Sequence, residues 1–211
     1  MPEMTDYRIL FSKNGPLIYI SHLDLTHTMI RAFNRAKIRL RHSQGFNPHP
    51  KIVFALPLSV GMSGENELCD VGIEEDIPAE EFKVRLQREL PEFLTVKDVY
   101  APDKKFKEIK SALYSVEFQT NANICEEISS FLSKEDIPVL KTTKSGEKTV
   151  NIKNQIISYN IGMKCEKPLM NITVVSSPSD FLNPEYVIKA LNASKIAENI
   201  PYRIQREKIF F

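Results

Sequence analysis

All four histidines, His22, His27, His42 and His49, fall within one 28-residue stretch, and from Thr26 to Lys51 there is no Asp or Glu. Imidazole titrates near neutral pH, so it can move a proton or bind phosphate as a cation. His22 and His49 are the candidate catalytic groups. The segment from Gln44 to Lys51 reads QGFNPHPK. Gly45 permits positive φ, Pro48 and Pro50 fix φ on either side of His49, and each proline holds its predecessor extended. A stiff loop presenting Gln44, Phe46, Asn47 and His49 suits a site organised before its ligand arrives; a plain turn into the next strand is the alternative. His27, Arg31 and Arg35 recur at i, i+4 and i+8, and Lys37, Arg39 and Arg41 alternate. A helix followed by an extended segment would align these cations with Lys51 into a phosphate track, with Phe46 available for base stacking. Like charges at i,i+4 repel unless something anionic neutralises them. A solvated helix face is the competing reading.

A metal site is not expected. Cys69, Cys125 and Cys165 lie far apart with no CxxC pair, and the histidines show no H-x-x-x-H spacing. Asp24, the one carboxylate close to His22, is better used as the third helical residue of a capping box with Ser21. No P-loop, dinucleotide-binding glycine fingerprint or nucleophile elbow is present, so no cofactor is expected. The aromatic octamer of RNA-recognition motifs is absent as well. With 28 basic and 27 acidic residues the net charge is +1, which excludes a polycation. The charge is local: residues 1–60 carry 8 basic and 3 acidic groups (+5), 61–111 carry 8 and 13 (−5), and 112–211 carry 12 and 11 (+1). No apolar run is long enough to span a bilayer, and the start, MPEMTDYRILFSK, lacks the order of a signal peptide. A cytoplasmic protein with no membrane partner and no DNA partner is the expectation.

The elements that must position these residues follow from periodicity. Tyr7–Lys13 alternates as a strand, and Ser21 with Asp24 opens a helix over His22–Lys37 through Leu25, Met29 and Ala32. Strands are expected over Lys51–Leu58 and Glu67–Glu74, with Gly61–Asn66 turning between them. A helix over Ala79–Leu90 and a strand over Leu94–Tyr100 complete a β-α-β-β-α-β order, the ferredoxin-like unit. The same order is expected again: strand Leu113–Thr120, helix Asn123–Ser133, strand Ile137–Thr142, one or two strands in Lys148–Cys165, strand Leu169–Ser176, a helix opening at Asn183-Pro184-Glu185, and strand Tyr202–Phe210. The predicted fold is therefore α+β, with tandem ferredoxin-like units whose antiparallel sheets carry helices on one face. The domains are 1–101 with the GFNPHP loop, a charged linker over 102–111, and 112–211 with an extra strand or hairpin.

Tyr7-Arg8, Phe11-Ser12-Lys13, Gly15-Pro16-Leu17, Ser21-His22-Leu23-Asp24-Leu25, Ser43-Gln44-Gly45-Phe46-Asn47-Pro48-His49-Pro50 and Phe54-Ala55-Leu56-Pro57-Leu58 with Gly61 resemble the radical SAM-linked protein family. That family is an uncharacterised bacterial domain fused to, or encoded beside, radical SAM proteins. The resemblance covers about half the chain, and the Asn183–Leu191 helix and closing strand follow it loosely. It implies a radical SAM partner, since this chain has no cysteine triplet for the cluster.

Three readings follow. The first is a noncatalytic accessory module of a radical SAM system that binds RNA or an RNA-protein substrate. His27, Arg31, Arg35, Arg39, Arg41, Gln44, Phe46, Asn47, His49 and Lys51 would form its binding surface. The second is a metal-independent RNA-processing or RNA-modifying enzyme using His22 or His49, by fold-level analogy with repeat-processing endonucleases. The third is a protein-binding adaptor for the radical SAM partner.

Overall fold

The computed structural model describes residues 5–143 and 146–211. Residues 1–4, read above for a leader, and 144–145 lie outside them. The chain divides into two compact units, Met1–Phe106 and Lys107–Phe211. The fold is mixed α+β, with a mostly antiparallel sheet and four α-helices among the described residues.

In the first unit β1 (Thr5–Lys13) leads through a short 3-10 helix (Gly15–Tyr19) into α1 (His22–Arg35). β2 (Ile52–Phe54), β3 (Met62–Ile73), α2 (Ala79–Glu89) and β4 (Leu94–Tyr100) follow. The strands lie in the order β4-β1-β3-β2, every neighbour antiparallel. Ile9 and Phe11 of β1, Cys69, Val71 and Ile73 of β3, and Leu94 and Val96 of β4 point to one side. There they form one core with Leu25, Met29 and Phe33 of α1 and Phe82 and Leu86 of α2.

The capping box at Ser21 is made: the Asp24 N–H donates to Ser21 Oγ at 3.1 Å and the Ser21 N–H to the Asp24 carboxylate at 3.4 Å. Three boundaries differ from expectation. α1 stops at Arg35, because Lys37 takes a left-handed φ of 55° and Ile38 N–H reaches back to Phe33 O at 3.0 Å, the pattern that ends a helix. β2 covers only Ile52–Phe54, since Ala55 and Leu56 bend away ahead of Pro57. β3 starts at Met62 rather than Glu67: the reversal is confined to the stretch ending at Gly61 (φ +88°), and Gly64 pairs with Lys13.

Residues 102–111 are the charged linker expected between the domains. Phe106 lies against the Arg8 guanidinium, Lys104 O accepts a hydrogen bond from it, and Ile109 is buried.

The second unit contains β5 (Ser111–Phe118), α3 (Cys125–Leu132), β6 (Pro138–Thr143), β7 (Gly146–Asn151), β8 (Ile156–Lys164), β9 (Lys167–Val175), α4 (Glu185–Ala193) and β10 (Tyr202–Phe210). Its strands run β10-β5-β9-β8, again antiparallel, while β6 and β7 pair with each other as a separate hairpin. β8 and β9 are joined by Cys165 and Glu166, both at positive φ (47° and 64°), as a two-residue reversal between right-twisted strands requires.

Candidate nucleic-acid interface

The loop after α1 is built on a narrow base. Leu40 bridges to Ile73 and His42 to Pro50, so residues 39–42 run beside the end of β3 and then pair with the chain entering β2. Arg41 N–H donates to Gly72 O at 2.7 Å, Lys51 N–H to Arg41 O at 2.6 Å, and Gly72 N–H to Lys51 O at 3.1 Å. Above this base Ser43 and His49 bond to each other through backbone and hydroxyl. Residues 42–49 are all exposed, and Phe46 at the tip is 114% exposed, as open as a side chain can be. Gln44, Asn47 and the His49 imidazole share that exposed tip.

Several cations of the stripe have acidic partners. The span lacks acids of its own, but strands and helices distant in sequence supply them. Arg35 pairs with Glu89 (3.1 Å), Arg39 with Glu75 (3.2 Å), Arg41 with Asp6, and Lys51 with Asp6 (3.1 Å). Arg39 and Arg41 do lie on one side of their segment, with Ile38 and Leu40 buried on the other. Among the described residues Arg31 has no acidic partner; His27 stands one turn after Asp24. These pairs are partly exposed and each is worth at most about 1 kcal/mol, so an anion could compete for the cations, while Glu89 already reduces the repulsion between Arg31 and Arg35.

His22 and His49 lie toward opposite ends of β2. The His22 ring meets Phe54 edge-on at 5.1 Å, at the far end of β2, whereas His49 precedes the start of that strand. His22 is half buried, and burial followed by the charge of Lys13 lowers its pKa.

A pair of residues that the sequence reading passed over lies beside the loop base. Arg8 is only 1% exposed, and its Nε and Nη2 donate to Asp70 Oδ1 and Oδ2 at 2.7 and 2.9 Å. Nη2 also donates to Lys104 O at 2.6 Å, and the guanidinium stacks on Phe106 at 4.4 Å. The signal was present: Arg8 and Asp70 stand directly opposite in the β1–β3 register, where opposite charges attract. Between this pair and Lys51 a cleft of about 190 Å³ opens, walled by Val53, Val71, Pro102 and Phe106. Lys13 and Glu67 are also buried, toward the other end of β1. No group of three or more metal-ligating His, Cys, Asp or Glu side chains occurs among the described residues. Burial pushes the Cys69 thiol well above its ordinary range.

The fold and this loop define a mixed α+β protein with a presented, proline-braced loop and a polar-rimmed cleft at its base. The chain belongs to the bacterial family described as "Uncharacterized protein conserved in bacteria (DUF2344)", whose model matches residues 6–196. No curated protein matches it. Among solved structures, an unknown protein from Galdieria sulphuraria aligns over 97% of this chain and 99% of its own at 10% identity and a TM-score of 0.29. A proposed glycine cleavage system transcriptional repressor aligns over 98% of both chains at 10% identity and 0.26. Scores this low carry no inference about fold or function. No helix among the described residues is long and apolar enough to cross a membrane.

Proposed function

We propose that this chain is a noncatalytic accessory module that binds single-stranded RNA, or the RNA of an RNA-protein substrate, through the loop of residues 42–51, and delivers it to a radical SAM partner. The observation that carries the RNA reading is Phe46, fully exposed at the tip of a braced loop whose base holds Arg39, Arg41 and Lys51. An exposed ring offers a stacking platform worth about 1–3 kcal/mol per base, and the nearby cations supply phosphate contacts. The radical SAM partner rests on the sequence resemblance. We read each unit as ferredoxin-like, on the strand orders β4-β1-β3-β2 and β10-β5-β9-β8.

The test is anisotropy of labelled octauridylate at several salt concentrations. Phe46→Ala is expected to weaken binding about tenfold with little change in salt slope, and Arg31→Ala to reduce the slope by about one unit. Arg35→Ala should change it less, because Glu89 already neutralises that charge. Binding unaffected by all three variants would sink the reading.

Docking on a protein partner is favoured by a different observation. Tyr19 and Val60 are exposed, and the Gly61 N–H bond to Ile18 O at 2.8 Å brings their segments together. Tyr19→Ser with Val60→Ser should abolish co-purification with the partner while leaving RNA binding intact.

A further inference from the structure

We infer that the cleft at the base of the loop takes a single unstacked nucleobase, and that guanine fits it best; this rests on the RNA-binding reading. The cleft, about 190 Å³, holds one planar heterocycle rather than a chain of them. Its walls are flat or apolar: the Phe106 ring, which carries the Arg8 guanidinium at 4.4 Å, together with Pro102, Val71 and the half-exposed Val53. Such walls reward a π-face and are indifferent to which base supplies it.

The rim provides the discrimination. The Asp70 carboxylate uses one lone pair on each oxygen for Arg8, and a carboxylate offers about four acceptor positions, so acceptor capacity remains. Lys51 Nζ donates to the two carboxylate oxygens of Asp6, at 3.1 and 3.3 Å, which leaves a further N–H of its ammonium for a second acceptor. The cleft thus sets carboxylate acceptors beside an ammonium donor. Guanine presents the complement on one edge, N1–H and the N2 amino group as donors next to the O6 acceptor. Uracil offers one donor between two acceptors, and adenine and cytosine lack the adjacent pair of donors. Arg8, Arg41 and Lys51 face Asp6, Asp70 and, beside Arg8, Asp103, so the surroundings carry no net charge and suit a neutral base. The attached phosphates would meet Arg39, whose side chain is 70% exposed.

Lys51 belongs to both the loop base and the cleft, so a strand stacked on Phe46 can place a neighbouring base there. The probes are octauridylate and three octamers with one central uridine replaced by G, A or C. The G-bearing octamer is expected to bind about tenfold more tightly than octauridylate, and the other two by smaller factors. Val53→Trp fills the cleft from its exposed side without touching the core. It should abolish the guanine advantage while octauridylate still binds, and Phe46→Ala should weaken all four oligomers alike. An unchanged melting temperature for each variant establishes that it is folded. A parent that binds all four equally, or a Val53→Trp variant that keeps the guanine advantage, overturns the base pocket while the RNA reading stands. A parent that binds none of them overturns both.

Discussion

Ser43 and His49 close the loop on itself: Ser43 N–H donates to His49 O at 2.8 Å, and His49 N–H donates to Ser43 Oγ at 3.0 Å. Loop stiffness therefore has two sources, the prolines on either side of His49 and this reciprocal bond. The His49 imidazole makes neither bond. His49→Ala is expected to leave the unfolding free energy within about 0.5 kcal/mol of the parent while weakening RNA binding. Ser43→Ala removes one bond at an exposed position, so stability should again change by less than about 1 kcal/mol, with affinity falling because the loop must be ordered on binding. Chemical denaturation and anisotropy on the same preparations separate the two effects.

Gly72 is where space is short. A Cβ there would sit 2.5 Å from Arg41 Nη2 and 2.9 Å from its Cζ, so the guanidinium packs flat over the glycine on its way to Asp6. Because the clash is with the end of a flexible side chain, Gly72→Ala should fold at a cost of about 1 kcal/mol or less. It should displace Arg41, loosen the loop base and reduce RNA affinity. Arg41→Ala should have the same binding phenotype, and the double variant should add nothing to it.

The Arg8–Asp70 pair is of another kind. Removing one partner of a largely buried pair leaves Arg8 with only its weaker partners, Lys104 O, Phe106 and Asp103 among them, so Asp70→Ala should destabilise the protein by about 1–3 kcal/mol. Replacing both, Arg8→Met with Asp70→Leu, should recover much of that loss. A melting series on the three variants checks this, and near-normal stability of Asp70→Ala would show that the pair contributes little.

His22 makes stability depend on pH. Its folded pKa is lowered by burial and by Lys13, so below about 6.5 the unfolded chain takes up the proton first. Stability should be fully present above that pH, decline as pH falls from there toward the folded pKa, and level off below it. In His22→Gln this component disappears, which denaturant titrations at a series of pH values between 7 and 5 would reveal as a shallower decline.

What could be read from the sequence was local. The Ser21–Asp24 capping box, the alternation of Tyr7, Ile9 and Phe11, and the proline bracket around His49 each depend on residues a few positions apart, and the loop stands exposed as its composition implied. What escaped was every interaction closed across tens of residues. Arg35, Arg39 and Arg41 looked unpaired because Glu89, Glu75 and Asp6 lie 54, 36 and 35 positions away. The burial of Arg8 left no local trace, because Asp70 and Phe106, which cover it, lie far along the chain. The short β2 and the left-handed Lys37 were missed because turn geometry at non-glycine residues leaves little compositional trace.

The reversal at Cys165 and Glu166 has a kinetic consequence. It brings β8 and β9 together across two residues, whereas Arg8 must find Asp70 across 62. With loop-closure entropy growing as the logarithm of length, the longer closure costs about 3 kcal/mol more before any contact rewards it. Order of assembly should follow that difference: the β8–β9 ribbon gains protection early, and β1 joins β3 after it. Pulse-labelled amide exchange during refolding would register this as early protection at Asn160 and Met170 and later protection at Ile9 and Cys69, so the strand pair beneath the loop and cleft would form after the β8–β9 ribbon.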